Sequence, residues 1–413
     1  MKLNQGFKLR PLAIGAAVSL AAISQSAFAY DFTIGDATVT VGGIANAFYT
    51  SSSCQTGAGH NVKGTALGGA TLACGTSTGG PGGTAQPQSR STVIGNGLLP
   101  NMLTAGVKTI QDGYEITGFT GIAVAVATDS SIAQNNNVDV RQAYLTVGNA
   151  DMGTVKAGRD YGVYGLSPIL SDMTLIGVGA ATQATQNGRV SLGNIGTGYS
   201  YVGTYGQMVY SRALGSGFKV DVGVMNPVNS SSTATANGTG PQYQGRFSFD
   251  QGGFGSWVSG KSQGFNSVAG TTAGTSYAPF TMAAFEVGGK YKIGDFQLLA
   301  NYQNGQGLGM LADGDQGNLR TQHTMVQATY QILPKNKVGI SWGLGSNPGS
   351  IAATGYANST NAVHNNTNWT LGNYYSLTKS LTLAAEIGQT RSTDYVGNAA
   401  TQSSLSLGAV LFF

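Results

Sequence analysis

Apolar and polar positions alternate along most of this chain from Ala37 to its last residue. The final stretch is the clearest case. Leu405, Leu407, Ala409, Leu411 and Phe413 share one face of a period-two pattern, and Ser406 and Gly408 begin the other. Period two is the signature of a β-strand. The pattern runs to the last residue, so this strand is expected to close a sheet. An apolar outer face, a small or polar inner face and a final aromatic suit a strand with lipid on one side. As a soluble edge strand the same face would invite aggregation.

The same reading predicts sixteen strands. The first covers about Ala37 to Thr50, and a Gly-, Ser- and Thr-rich loop follows to about Leu99. Strands near Asn101–Ile110 and Tyr114–Thr128 flank the turn Gln111-Asp112-Gly113, and Val138–Gly148 and Gly153–Tyr161 flank the next. A long segment runs from about Gly162 to Gly203. Five hairpins follow, with turns near Leu214-Gly215-Ser216, Gln251-Gly252-Gly253, Gly294-Asp295, Pro334-Lys335-Asn336 and Lys379, and a last strand spans Gln402 to Phe413. Short Gly, Asp, Asn or Pro turns alternate with long loops. Outer-membrane barrels show this rhythm with an even strand count. Eighteen strands remain open if the long segments hide another hairpin.

Composition narrows the class. Charged residues make up 9% of the chain, against ~25% in an average soluble protein. No apolar run beyond the N-terminus is long enough for a helical span. A barrel hides its apolar face in alternate residues and pairs every backbone group, as lipid demands. At the N-terminus, Lys2, Lys8 and Arg10 precede the apolar run Leu12–Ile23 and the small-x-small site Ala27-Phe28-Ala29. This reads as a secretory signal, residues 1–29, with the barrel domain at residues 30–413. Without those three basic residues the chain carries 18 Lys and Arg against 17 Asp and Glu. The charge balance therefore gives no argument for nucleic acid.

Val138-Asp139-Val140-Arg141-Gln142-Ala143-Tyr144-Leu145-Thr146-Val147-Gly148, followed by Gly153-Thr154-Val155-Lys156-Ala157-Gly158-Arg159, resembles the hairpin of Gram-negative general diffusion porins. Asp160-Tyr161-Gly162-Val163-Tyr164 continues the likeness. The resemblance implies an all-β fold, an antiparallel transmembrane β-barrel of sixteen strands whose third loop folds into the lumen. It also implies a homotrimer in outer-membrane lipid that passes ions and small hydrophilic solutes without a cofactor. The chain departs from the family pattern in its third loop, where the only carboxylate between Tyr161 and Gly198 is Asp172.

Several residues are candidates for setting passage. Val138, Val140 and Tyr144 are expected outward and Asp139, Arg141 and Ala143 inward, which aims Arg141 into the lumen. Arg141 either lines the constriction or pairs with an acid and orders the wall. Lys156 and Asp160 fall on the polar face of the next strand and join the same wall, with Arg189 and Arg212 as further members. Asp172 is either the loop's carboxylate at the eyelet or a solvated loop charge. Arg159 shares a face with Val155 and Ala157 and is expected outward. An arginine deep in the lipid face costs roughly 2–4 kcal/mol, and a subunit contact would remove that cost. A bulge, or a place near the membrane interface, are its alternatives. Phe413 is expected at barrel closure and assembly.

Cys54 and Cys74 are the only cysteines. Export permits a disulfide between them, with two free thiols as the other reading. His60, His323 and His364 have no metal spacing and no recognisable nucleophile partner. A passive channel of weak ion selectivity is therefore expected. A substrate-specific channel, a structural or adhesive barrel and a barrel enzyme are the alternatives.

Overall fold

A computed structural model describes residues 29–55, 59–60, 62, 72–74, 90–127, 138–181, 190–229, 238–266, 268–269, 276–277, 279–348 and 363–413. The expected signal segment lies outside these residues except for Ala29.

The strands are β1 (Tyr30–Ile34), β2 (Ala37–Cys54), β3 (Arg90–Gly95), β4 (Asn101–Gln111), β5 (Tyr114–Val124), β6 (Val138–Asn149) and β7 (Gly153–Tyr161). Next come β8 (Thr204–Gly215), β9 (Phe218–Met225), β10 (Gln242–Gln251), β11 (Phe254–Phe265) and the two-residue strands β12 (Val268–Ala269) and β13 (Ser276–Tyr277). The last are β14 (Phe280–Ile293), β15 (Phe296–Gln306), β16 (Arg320–Leu333), β17 (Asn336–Ser346), β18 (Val363–Ser376), β19 (Leu381–Asp394) and β20 (Ala399–Phe412). A helix, α1 (Leu166–Ser171), and a 3-10 turn (Met173–Ile176) sit between β7 and β8.

Sixteen of the strands form a closed antiparallel barrel. β20 pairs along β2 from Ile44 opposite Phe412 to Cys54 opposite Gln402. The other edge of β2 pairs with β4. β1 and β3 are additions rather than new staves. β1 folds back on the first residues of β2, and β3 continues the line of β4 beside the upper half of β2. Both fall in stretches read from the sequence as leader boundary and loop, because each is short and breaks off at Gly35 or at Gly95-Asn96-Gly97.

The short turns follow the chemistry of their residues. Asp112 and Gly113 both take positive φ, 50° and 80°, the twist that matches a two-residue hairpin. The outward positions are apolar and exposed, as at Val222, Val224, Val258, Val287, Leu371, Leu405 and Leu407. Aromatics gather where strands meet these turns: Phe218 and Phe249 lie 4.7 Å apart, and Phe296 and Tyr330 5.9 Å. Such a ring suits the membrane interface. At the closure, the Phe413 carbonyl accepts from Gly43 N–H at 2.6 Å, and Phe413 N–H donates to the Gly43 carbonyl at 3.1 Å. A Cβ on Gly43 would meet the Phe413 ring at 2.7 Å.

The packed apolar core lies inside the barrel. Leu166, Ile169, Met173, Leu175, Val178, Ile195 and Tyr199 of the segment after β7 pack on Ile44, Phe48, Trp257, Leu299, Met325 and Tyr374 of the wall.

Candidate functional site

Residues 162–181 and 190–203, between β7 and β8, lie against the inner face of the wall. Most of their polar contacts fall on the arc from β15 to β20, with a further anchor on β10. On β10, Gln244 Oε1 accepts from Val163 and Tyr164 N–H at 2.7 and 2.9 Å. On β15, Gln303 accepts from Ser200 N–H at 2.8 Å. On β16, Gln327 accepts from Met173 N–H at 2.7 Å and donates to the Ser171 carbonyl at 3.0 Å. On β19, Glu386 accepts from Val178 and Gly179 N–H, both at 2.8 Å, and from Tyr374 OH at 2.6 Å. On β20, Gln402 donates to the Ala181 carbonyl. β17 offers mostly space, with Ser341 Oγ accepting from Asn194 Nδ2 at 3.4 Å. A Cβ at Gly343 would meet Gly198 N at 2.7 Å, and one at Gly345 would meet Gly196 O at 2.4 Å. The loop therefore lies backbone against backbone on that strand.

Asp172 organises the loop from within. It is 4% exposed. Its carboxylate accepts from Thr174 N–H and Oγ1, from Asn194 N–H and Nδ2, and from Tyr199 OH at 2.7 Å. Burial pushes the carboxyl above its usual range, while these donors pull it back. Asp172 is thus neither a solvated charge nor a carboxylate presented to an eyelet. The sequence shows the residue type but not the donors that fold around it.

The opposite arc, β5 to β11, holds most of the lumenal charge. Arg141 sits at a β-bulge: Gln142 pairs with Gly121 and Val140 with Ile122, which leaves Arg141 as the extra residue. A bulge switches the faces that follow. Ala143, Leu145 and Val147 turn out to lipid, while Tyr144 turns in and stacks on Phe119 at 5.3 Å. This corrects the expected positions of Ala143 and Tyr144. Arg141 is buried, with Nε 2.9 Å from Asp139 Oδ2. Lys156 forms an ion pair with Asp160, which also accepts from Gln142 at 2.8 Å.

Three further basic residues of this arc escaped the sequence reading. Lys219 and Arg246 share Asp221 at 2.9 and 2.8 Å, and Lys261 pairs with Asp313. Their signal was available: each stands at an inward position of an alternating strand. Only their carboxylate partners, some from other strands and loops, were hidden. Asp313 belongs to a second inward segment, residues 307–319. It also accepts from Tyr205 OH at 2.9 Å and Gln242 at 2.8 Å. Next to it, Asp315 accepts from Met310, Leu311 and Ala312 N–H at 2.8, 2.7 and 3.1 Å. Burial pushes the Asp315 carboxyl up to about 7 against the pull of these bonds.

The remaining candidates divide. Arg159 is exposed on the outside near the loop end of β7, where it donates to the Val140 carbonyl at 2.9 Å and Thr204 Oγ1 at 3.1 Å. Arg212 follows the outward series of Met208 and Tyr210 and reaches only the edge of the lower vestibule, so it is not part of the inward wall. Arg189 lies outside the described residues. Cys54 and Cys74 are disulfide-bonded with Cα atoms 5.7 Å apart. The bond holds a short piece of the first loop, whose Leu72 and Ala73 N–H groups donate to Ser392 Oγ at 3.1 and 3.0 Å. His323 is buried between the Thr197 and Gly309 carbonyls, and His364 stacks on Tyr395 at 4.4 Å. Among the described residues no group of His, Cys, Asp or Glu is placed to hold a metal.

A closed sixteen-strand antiparallel barrel with an apolar exterior and polar inward positions defines an outer-membrane diffusion channel. The family of Gram-negative porins matches residues 13–395, and the chain belongs to it. No curated protein matches by sequence. Among solved structures, the outer membrane channel DcaP of Acinetobacter baumannii is 15% identical, with TM-score 0.63 over 92% of this chain and 99% of that one. The anion-selective porin of Comamonas acidovorans is 15% identical, with TM-score 0.59 over 91% and 100%. The OmpF of Salmonella typhi, solved with daunomycin, is 14% identical, with TM-score 0.57 over 93% and 100%. At such identities the likeness shows the fold.

Proposed function

We propose that this porin passes small hydrophilic solutes and ions with weak charge selectivity, along the side of the lumen bounded by β5 to β8. One observation carries the reading: Arg141, Lys156, Lys219, Arg246 and Lys261 each have a carboxylate within ion-pair distance. Pore selectivity comes from rings of charge, diameter and hydrogen-bonding groups. A compensated wall has a weak field, which leaves diameter and polar lining to discriminate. The loop's polar contacts on β10, β15, β16, β19 and β20 support the location of the path. The chain works after removal of a signal peptide, as a homotrimer, with no cofactor and no catalytic step. The exposed Arg159 beside lipid supports a neighbouring subunit near β6 to β8. Bilayer recordings under a salt gradient test this. Conductance steps in threes with a small reversal potential are expected. A reversal potential close to that of a single permeant ion would refute weak selectivity.

A further inference from the structure

Below α1, at the end of the barrel that carries the short turns, a cavity of about 540 Å³ opens between residues 149–154 and 211–219. Two features make it more than a widening of the lumen. Three inward basic residues line it, Lys219, Arg246 and Lys290, with the outward Arg212 only at its edge, against one lining carboxylate, Asp250. Asp221 stands just behind, bonded to Ser211 Oγ at 2.5 Å. With both acids counted, the inward cations are in excess by one. The residues also differ in reach. Arg246 is buried and committed to Asp221 and to Ser167 Oγ at 3.1 Å; Lys219 and Lys290 are also paired, with Asp221 at 2.9 Å and Asp250 at 3.1 Å, but their side chains are 20% and 36% exposed and can turn to a solute. The second feature is apolar: Leu170 of α1 and Trp257 line the cavity. The Trp257 Nε1–H is already satisfied by Asn301 at 3.1 Å, and the ring, 4% exposed, contributes only an edge to the apolar wall beside the half-buried Leu170.

A partly open site with an apolar wall and a few placed charges selects for a solute with both characters. We infer that this cavity is a binding site for a small organic anion, a carboxylate on a compact apolar or aromatic body. The carboxylate meets Lys219 and Lys290, and the body lies against Leu170 and Trp257. An inorganic anion would use the charges alone, and a neutral aromatic the wall alone. The inference adds a retained solute to the diffusion channel and a sidedness to its approach.

The test reads binding by Trp fluorescence of the folded protein in detergent, with Trp342→Phe and Trp369→Phe in place, because those two rings point outward and Trp257 is then the only reporter. Benzoate is expected to change the emission saturably. Benzyl alcohol and phosphate, at equal concentration, are expected to do so at least tenfold more weakly. Lys219→Gln and Lys290→Gln should each weaken benzoate binding by roughly fivefold, as for a partly screened charge pair. Retained heat-modifiability would confirm that each variant is folded. Equal responses to benzoate and benzyl alcohol, or to benzoate and phosphate, would overturn the site, as would unchanged affinity in both lysine variants. The readout needs no current, so failure here leaves the diffusion reading untouched, and a barrel that fails to conduct can still show the site. In bilayers, benzoate should interrupt the current at lower concentration from the short-turn side than from the loop side.

Discussion

The two arcs of the lumenal wall obey the same strand alternation and put it to different uses. From β15 to β20 the inward positions that meet residues of the loop are polar at Gln303, His323, Gln327, Ser341, Glu386 and Gln402 and apolar at Leu299, Met325 and Tyr374, and most of the polar ones hold backbone groups of the loop. From β5 to β11 they carry acids and bases that satisfy one another. An inward polar residue is therefore not evidence of a pore lining. On one arc it replaces the water that loop backbone would otherwise need. On the other it compensates a neighbour of opposite charge. Partner identity separates the two roles.

Disrupting the holding arc should have the largest effect. Glu386→Ala removes the acceptor for Val178 N–H, Gly179 N–H and Tyr374 OH, and each orphaned buried donor costs about 1–3 kcal/mol. The loop tip should release, giving larger and noisier single-channel steps, while Glu386→Gln should retain most of the wild-type trace. Gly345→Val tests the backbone contact on β17. Its side chain meets the Gly196 carbonyl, and overpacking of this kind costs about 1–3 kcal/mol. The loop should move toward β6 and the conductance should fall.

On the charged arc the effect should be smaller and electrical. Arg141→Ala leaves Asp139 without its guanidinium partner. The reversal potential should move toward cations, by a permeability ratio on the order of twofold, with the step size nearly unchanged. The smallest effect concerns the segment 307–319. The Asp315 carboxyl titrates near 7 in the folded protein, above its usual value, so its neutral form is favoured there. Stability from this group is present at low pH and is lost as pH rises toward 7. Amide exchange at Met310 to Ala312 should therefore be slower at pH 5 than at pH 8, after correction for the intrinsic pH dependence, and Asp315→Asn should flatten the difference.

The barrel was legible in the sequence because its signal is periodic. Leu405 to Phe413, and the hairpins around Asp112 and Asp295, satisfy local rules that no distant residue overrides. β1 and β3 were missed because neither completes a stave. Arg141 and Lys156 were legible as inward residues. Tyr144 was not, since one bulge reverses every position after it and leaves no mark in residue type. Asp172 was misjudged for a related reason: it draws donors from its own loop at Thr174, Asn194 and Tyr199, and sequence distance hides that convergence. The compensation of the wall depends on Asp313, which comes from a loop 52 residues from Lys261.

An open path that follows β5 to β8 and avoids β15 to β20 leaves a pattern of cysteine accessibility. Thr146→Cys places a thiol on β6 beside Lys156, and Thr370→Cys places one on β18 where the native side chain is buried. A charged, water-soluble thiol reagent applied during single-channel recording should lower the current through the Thr146 variant and leave the Thr370 variant unchanged. Block at Thr370 with no effect at Thr146 would put the path on the other side of the loop and contradict the account.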